Sequence, residues 1–263
     1  MRVRVCALGL LFLATSAAAA TRRDAATLMR GMKAVLEPSR PSVRKITVTI
    51  SAQDGEATRF VAGEAREHAA DGSRILIAIL APADQKGAAY LLREVPKQAN
   101  DEEWVYVPAV RRVRKIVPVE SLHAFLDSDF TLADLGFVSL RSTYKLLGEG
   151  KHGDVRAHEI QEVPAGVQGK WYYSRIVTWL ADDSSLPLER DFYDPSNTLW
   201  KVETFEQVRD VDGTPTPLRM RMEDKQQGGS TEIDVSDVRY GADVPDSLFD
   251  PAHLHEAAAA PLW

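Results

Sequence analysis

The feature that most restricts the fold of this chain is a period of two. Between residues 46 and 240, apolar and polar side chains alternate in short runs, and turn residues part those runs at near-regular intervals. Ile46, Val48 and Ile50 alternate with Thr47, Thr49 and Ser51, so each set falls on its own face of a strand. Asp54-Gly55 closes that run, residues 59–68 form the next, and Asp71-Gly72 is a second turn. Residues 75–80 (ILIAIL), 88–95 and 104–107 read as further strands. The pattern resumes over residues 144–148, 155–163, 172–180, 188–193, 200–208, 218–224 and 231–240. Turns at Asp194-Pro195-Ser196-Asn197, Asp212-Gly213 and Gly228-Gly229 separate several of these. Short strands joined by tight turns predict a meandering antiparallel sheet rather than βαβ units.

Two stretches break the period. Residues 24–36 carry Leu28, Met32, Val35 and Leu36 on one helical face behind Asp24 as N-cap, and Pro38 and Pro41 end the helix. Residues 121–137 place Leu122, Phe125, Leu126, Phe130, Leu132, Leu135 and Phe137 at mixed helical spacing, which predicts one or two short helices, the second opening near Ser128 or Asp129. With no Gly/Ser linker, composition break or repeat, the simplest organisation is one domain over residues 21–263, its last ~10 residues loose.

The first residues predict export. Arg2 and Arg4 precede a short apolar core, residues 5–14, and Ala18-Ala19-Ala20 offers a cleavage site, so residues 1–20 read as a signal peptide cut near Ala20. The apolar run falls short of the ~20 residues that span a bilayer. The only cysteine, Cys6, lies before the apolar core and leaves with this leader, which excludes a mature lipoprotein, a disulfide or a cysteine metal site. Without Arg2 and Arg4 the 32 basic residues become 30 against 38 acidic ones, a net of −8, which argues against general nucleic-acid binding.

Motifs for chemistry are sparse, and the chain reads as a non-enzyme without a cofactor or metal. Residues 148–153 match G-x-G-x-x-G, but the following residues alternate like a strand, so a hairpin is expected there. G-x-S-x-G, H-E-x-x-H and a phosphate loop are absent, and the His253/His255 pair lacks a third ligand. Asp182-Asp183 reads as a turn, and Asp127 and Asp129 read as capping or ion-pairing residues rather than an acid–base pair. Arg111, Arg112, Arg114 and Lys115 form the one basic cluster. They fit either a strand or turn pairing with Asp127 and Asp129, or a contact with anionic headgroups or an acidic partner.

Trp104, Tyr106, Pro108, Ala109, Arg111, Arg112, Val113, Arg114, Lys115 and Ile116 fit a W-x-Y-x-P-A-x-R-R-V-R-[RK]-I block. Phe125, Ser128, Asp129, Phe130, Thr131, Asp134 and Leu135 fit F-x-x-S-D-F-[ST]-x-x-D-L. The double block resembles the outer-membrane lipoprotein-sorting proteins, LolA- and LolB-like periplasmic carriers, and residues 186–194 and 244–249 are similar to them as well. Leu126-Asp127 stands where Met-Gly is expected, which puts the local turn geometry at issue. The resemblance implies an α+β fold: a strongly curved antiparallel sheet, an unclosed half-barrel, with helices covering its concave face. It also implies a periplasmic protein that holds or moves a lipid or acylated lipoprotein, partnered by an inner-membrane transporter of the RND or MMPL type. The alternative is an interaction protein or transporter subunit that uses the fold without transferring lipid, and a hydrolase ranks last. On this reading Ile75, Ile77, Ile79, Phe125, Phe130, Leu132 and Phe137 are candidates for an apolar wall, although core packing is the commoner role for any one of them. Arg111, Arg112 and Arg114 are candidates for headgroup or partner contact, and Trp104, Tyr106 and Asp129 complete the lipid- or partner-binding set. The identity of the cargo and the oligomeric state stay open.

Overall fold

The structure is a computed structural model that describes residues 24–69, 71–98, 100–138, 140–164, 172–260 and 262. The expected signal peptide lies outside the described residues. Helix α1 (Ala25–Leu36) starts where the Asp24 carboxylate accepts the Thr27 N–H at 2.7 Å, and it buries Leu28, Met29 and Met32.

Among the described residues, thirteen strands form one antiparallel sheet. The first meander contains β1 (Ser42–Ser51), β2 (Ala57–Ala69), β3 (Gly72–Ala81), β4 (Ala89–Arg93), β5 (Glu102–Val107) and β6 (Arg112–Ile116). The second contains β7 (Thr143–His152), β8 (Val155–Val163), β9 (Arg175–Ala181), β10 (Pro187–Tyr193), β11 (Leu199–Val211), β12 (Thr214–Asp224) and β13 (Ser230–Tyr240). Every neighbour is sequential except at the seam, where β1 pairs with β13 from Ser42 opposite Tyr240 to Ser51 opposite Ser230. Strands β6 and β7 are therefore the two outer edges, and they do not pair, so the half-barrel stays unclosed. Sheets of more than about ten strands curl rather than stay flat.

This topology explains the break in period. The chain has to travel from one edge of the sheet to the other between β6 and β7, and it does so across the inner face. Phe125, Phe130 and Leu132 of this crossover are buried against Phe60, Ile75, Ile77 and Ile79. The crossover forms 3-10 turns at Glu120–Leu122 and Phe125–Asp127, not an α-helix opening near Ser128. Leu126 and Asp127 adopt left-handed φ values of 51° and 63°, which no continuing helix accommodates.

Alternation then sorts each strand. Ile75, Ile77 and Ile79 of β3 face inward, while Leu76 and Ala78 face outward. The outer face is covered by the C-terminal segment, 3-10 turns at Asp246–Phe249 and Pro251–Ala259 that bury Leu248, Phe249, Leu254 and Ala257. The last residues were expected to be loose; instead the tail packs through residue 257, because Leu254 and Ala257 are three apart and share one side of a 3-10 helix. The glycine-rich motif is the β7–β8 hairpin, with His152 opposite Val155 and Gly153 at φ 58°, as the alternation predicts. Among the described residues, no helix is long and apolar enough to cross a membrane.

Candidate functional site

A cavity of about 150 Å³ lies on the inner face between the sheet and the crossover. Its floor is apolar: Ile46, Ile77, Met220, Ile233 and Val235 come from the central strands, where inward positions carry branched or flexible side chains. Phe130, Leu135 and Phe137 form the roof, and Leu36, at the C-terminal end of α1, closes one side. Beyond the cavity, toward β5 and β6, the face is filled by the protein's own aromatics. Phe125 sits edge-on to Tyr90 at 4.9 Å and to Phe60 at 6.0 Å between ring centres.

Charges line the cavity at two places. On β1 and β2, Arg66 Nε donates to Glu64 at 2.7 Å and Arg44 Nε lies 3.3 Å from the same carboxylate, so two cations share one anion. Burial pushes the Glu64 carboxyl up, but Arg66 and Arg44 outweigh it and hold it below the usual carboxylate range. On β8, β10 and β11 the ratio reverses. Arg190 lies 3.3 Å from Glu203 and 3.9 Å from Glu162. Burial pushes Glu203 up to about 7 and raises Glu162, with Arg190 offsetting only part of the effect. The Nε atoms of Arg44 and Arg190 are buried without a hydrogen-bond acceptor. Such groups are expensive to bury, although Arg44 Nε still faces the Glu64 carboxylate at 3.3 Å without a well-angled hydrogen bond. Asp134, also in the lining, accepts the Tyr173 hydroxyl at 3.0 Å and the Thr131 N–H at 2.8 Å.

The structure divides the candidate residues among five places, the last of them the β6 edge. Ile77, Phe130 and Phe137 line the cavity. Ile75, Ile79, Phe125 and Leu132 pack in the apolar cluster beside it. Asp129 pins the crossover to the sheet: its carboxylate accepts the Thr231 hydroxyl at 2.7 Å and its carbonyl accepts Lys201 Nζ at 2.5 Å. Trp104 and Tyr106 lie on the outer face against the C-terminal segment, because they share the parity of outward Leu91 and Ala89 across the β4–β5 ladder.

Arg111, Arg112 and Arg114 stand on the β6 edge, far from a pairing with Asp127 and Asp129. Arg114 bonds Glu120 at 2.7 Å, Lys115 bonds Glu102 at 2.7 Å, and Asp129 turns to Thr231 instead. The pairing with the aspartates is thus replaced by local pairs, since β6 is an edge and Asp129 sits over β13. The cluster is a strand, a possibility the sequence left open beside a turn.

The charged lining of Arg44, Glu64, Arg66, Glu162, Arg190 and Glu203 was missed by the sequence reading. A signal existed: Arg44 stands two before Ile46 and Arg190 two before Phe192, at inward parity. Among the described residues no group of three or more His, Cys, Asp or Glu side chains could hold a metal ion.

The profile of a family described as uncharacterized protein-like matches residues 71–256. No curated protein matches the chain. Among solved structures, an outer membrane lipoprotein-sorting protein domain from Vibrio parahaemolyticus superposes with a TM-score of 0.81 at 22% identity, covering 88% of this chain and 98% of that one. A DUF1329 family protein from Desulfovibrio piger gives 0.80 at 28% identity, over 88% of this chain and 97% of its own. A LolA superfamily protein from Nitrosomonas europaea gives 0.71 at 19% identity, over 87% and 98%.

Proposed function

Since the chain belongs to that family of uncharacterized proteins and has the half-barrel of the outer-membrane lipoprotein-sorting and LolA superfamily proteins, we propose that it is an exported, non-enzymatic carrier that shelters the acyl part of a lipid or lipoprotein on its inner face. The observation that carries this reading is the cavity between an apolar floor and a crossover whose described residues form 3-10 turns and loops. A space of about 150 Å³ is small beside the roughly 300–1,000 Å³ of ordinary ligand pockets. A cavity that size suits a ring or a short chain end. A full acyl chain therefore requires the roof, Phe130 and Phe137, to move outward. Sheltering a sixteen-carbon chain is worth roughly 10 kcal/mol at ~0.8 kcal/mol per CH₂, while displacing each phenylalanine costs about 1.5–3 kcal/mol. The exchange favours the chain. The buried guanidiniums of Arg44 and Arg190 supply donors for oxygens at the polar end.

The test is native mass spectrometry with lipid extraction on the mature protein taken from its own cell envelope. Bound lipid that disappears in Val235→Phe, which drives a ring into the cavity, supports the carrier. A protein that stays apo after incubation with envelope lipids and an acylated peptide rejects it. A second reading has its own observation: Phe60, Phe125, Tyr90 and Leu132 already fill the rest of the inner face. On that reading the protein is an accessory subunit, for instance of an RND- or MMPL-type transporter, that binds a partner without carrying lipid.

A further inference from the structure

The two edges of the sheet are defended differently. An unpaired edge invites strand addition by another chain, and charge on the edge prevents it whatever the sign. Edge β7 follows that rule with a mixture: Lys145, Glu149, Lys151 and His152, broken by Gly148 and Gly150. Edge β6 carries Arg112, Arg114 and Lys115 and no acid, with Arg111 immediately before it. This one-sided cluster sits on a chain whose net charge is −6.

Two further observations separate this edge from simple protection. Arg111 is held at φ 49°, a left-handed position that costs an arginine strain and that Asn or Gly fills more cheaply. The edge is also flanked by apolar side chains left in solvent: Val110 is 62% exposed, Val117 53% and Val119 60%. The ladder places Val107 opposite Arg112 and Glu103 opposite Ile116, so Val110 lies at one end of β6 and Val117 and Val119 beyond the other. The cations span the five residues between, about 17 Å at 3.3 Å per residue. Glu120 and Glu102 offset Arg114 and Lys115, while Arg111 and Arg112 have no ion pair among the described residues.

We propose that the β6 edge, from Val110 to Val119, docks the protein on an anionic lipid surface. The arginines meet lipid phosphates and the valines enter the interfacial layer. Cations within a Debye length, about 8 Å at physiological salt, feel the surface, and Glu120 and Glu102 offset only Arg114 and Lys115 among the four. An acidic protein partner would be met by the cations but gives no account of the three exposed valines that flank the edge. The inference does not depend on whether the inner face carries cargo.

The test is flotation of the full mature chain with phosphatidylcholine vesicles, with and without phosphatidylglycerol, at low and high salt. Binding to the phosphatidylglycerol vesicles alone, weakened by salt, is expected. Arg111→Asn with Arg112→Gln should weaken it about thirtyfold, at roughly fivefold per uncompensated cation, with no loss of thermal stability because Asn suits the left-handed position. Val110→Ser with Val119→Ser should leave first contact intact but lower the fraction retained at high salt. Absence of binding to the anionic vesicles, or equal binding by the arginine double variant, overturns the proposal. So does an arginine variant that self-associates on gel filtration while still binding vesicles, which reduces the cluster to edge protection. Capture of an acidic protein without vesicle binding overturns it as well. Lipid extraction from the same samples reads the cargo question separately.

Discussion

One sheet buries its two faces by opposite means. The outer face is dry and apolar: Val43, Ala65, Leu76, Ala78 and Leu91 meet Leu248, Phe249, Leu254 and Ala257. The C-terminal cover is tied down where Arg93 donates to the Phe249 carbonyl at 3.2 Å. The inner face encloses a cavity and two groups of buried ions, covered by α1 on the β8 and β9 side and elsewhere by a crossover of 3-10 turns and loops. Buried ion pairs are an inefficient way to hold a protein together, since desolvation consumes most of their attraction. If the protein is the carrier proposed above, the outer face acts as permanent core, and on the inner face the cavity rather than the apolar cluster beside it exchanges contents.

The largest effect that tests this contrast is truncation. Phe249 is 1% exposed, so Phe249→Ala should cost about 3–5 kcal/mol in urea denaturation. Phe137 is only partly buried in the cavity roof, and Phe137→Ala should cost about 1 kcal/mol. Equal losses would mean that the roof is as much core as the tail, and the contrast fails.

Next in size is Arg190→Met. It strands Glu162 and Glu203, and loss of one partner of a buried pair costs about 3–5 kcal/mol. The low end is expected, because Glu203 already binds a proton near neutral pH and escapes part of the penalty. Replacing all three by Met, Leu and Leu should restore stability, and Arg190→Met alone should also abolish any discrimination by cargo head. A triple variant as unstable as the single one would show that the ions, not their desolvation, carry the face.

Much of this was legible beforehand. Period two marked every strand except β6, and Asp24, Pro38 and Pro41 bounded α1 because capping and proline act locally. β6 was legible only as strand or turn, since Arg112, Arg114 and Lys115 bury little and hide the alternation. The two covers were read least well. Their conformation is set by what they lie on: the crossover follows from the distance between two edges, and the tail from a groove of small residues such as Ala65, Ala78 and Ala89. Neither fact is local. The cavity charges were visible as letters, but their meaning depends on β1–β13 pairing, which folds two distant meanders around one space.

A smaller effect comes from pH. Glu203 and Glu103 are both pushed by burial up to about 7, above the ordinary value of 4.5. A carboxyl raised in the folded state favours folding below its unfolded pKa, and that contribution is lost as pH climbs through the folded value. Stability should therefore fall between about pH 4.5 and 7 on account of these two, while Glu64, held low by Arg66 and Arg44, acts in the opposite sense below pH 4.5. Glu203→Gln should remove a loss of about 1–3 kcal/mol between pH 5 and pH 8. The outer face has no such group in its core cluster, so a variant there, Leu254→Ala, should lower stability by the same amount at both pH values. An unchanged pH slope in Glu203→Gln would assign the titration elsewhere.

The smallest effect concerns strain, and it also differs between the covers. Leu126 and Asp127 are successive left-handed residues in the inner crossover, whereas residues 244–260 of the outer cover contain none. Asp tolerates this region better than most side chains but still carries strain at φ 63°, whereas glycine enters it without strain. Glycine also frees the unfolded chain, which takes back part of the gain. Asp127→Gly should leave a net stabilisation of about 0.5 kcal/mol, a rise of roughly 1–2 °C in Tm for a domain this size. Leu126→Gly, at φ 51° but with a side chain packed on the apolar cluster, should instead destabilise, since the lost contact outweighs the relieved strain. Opposite signs at two adjacent residues would locate the strain of the inner cover in one peptide unit. The same sign at both would mean that packing alone shapes the turn.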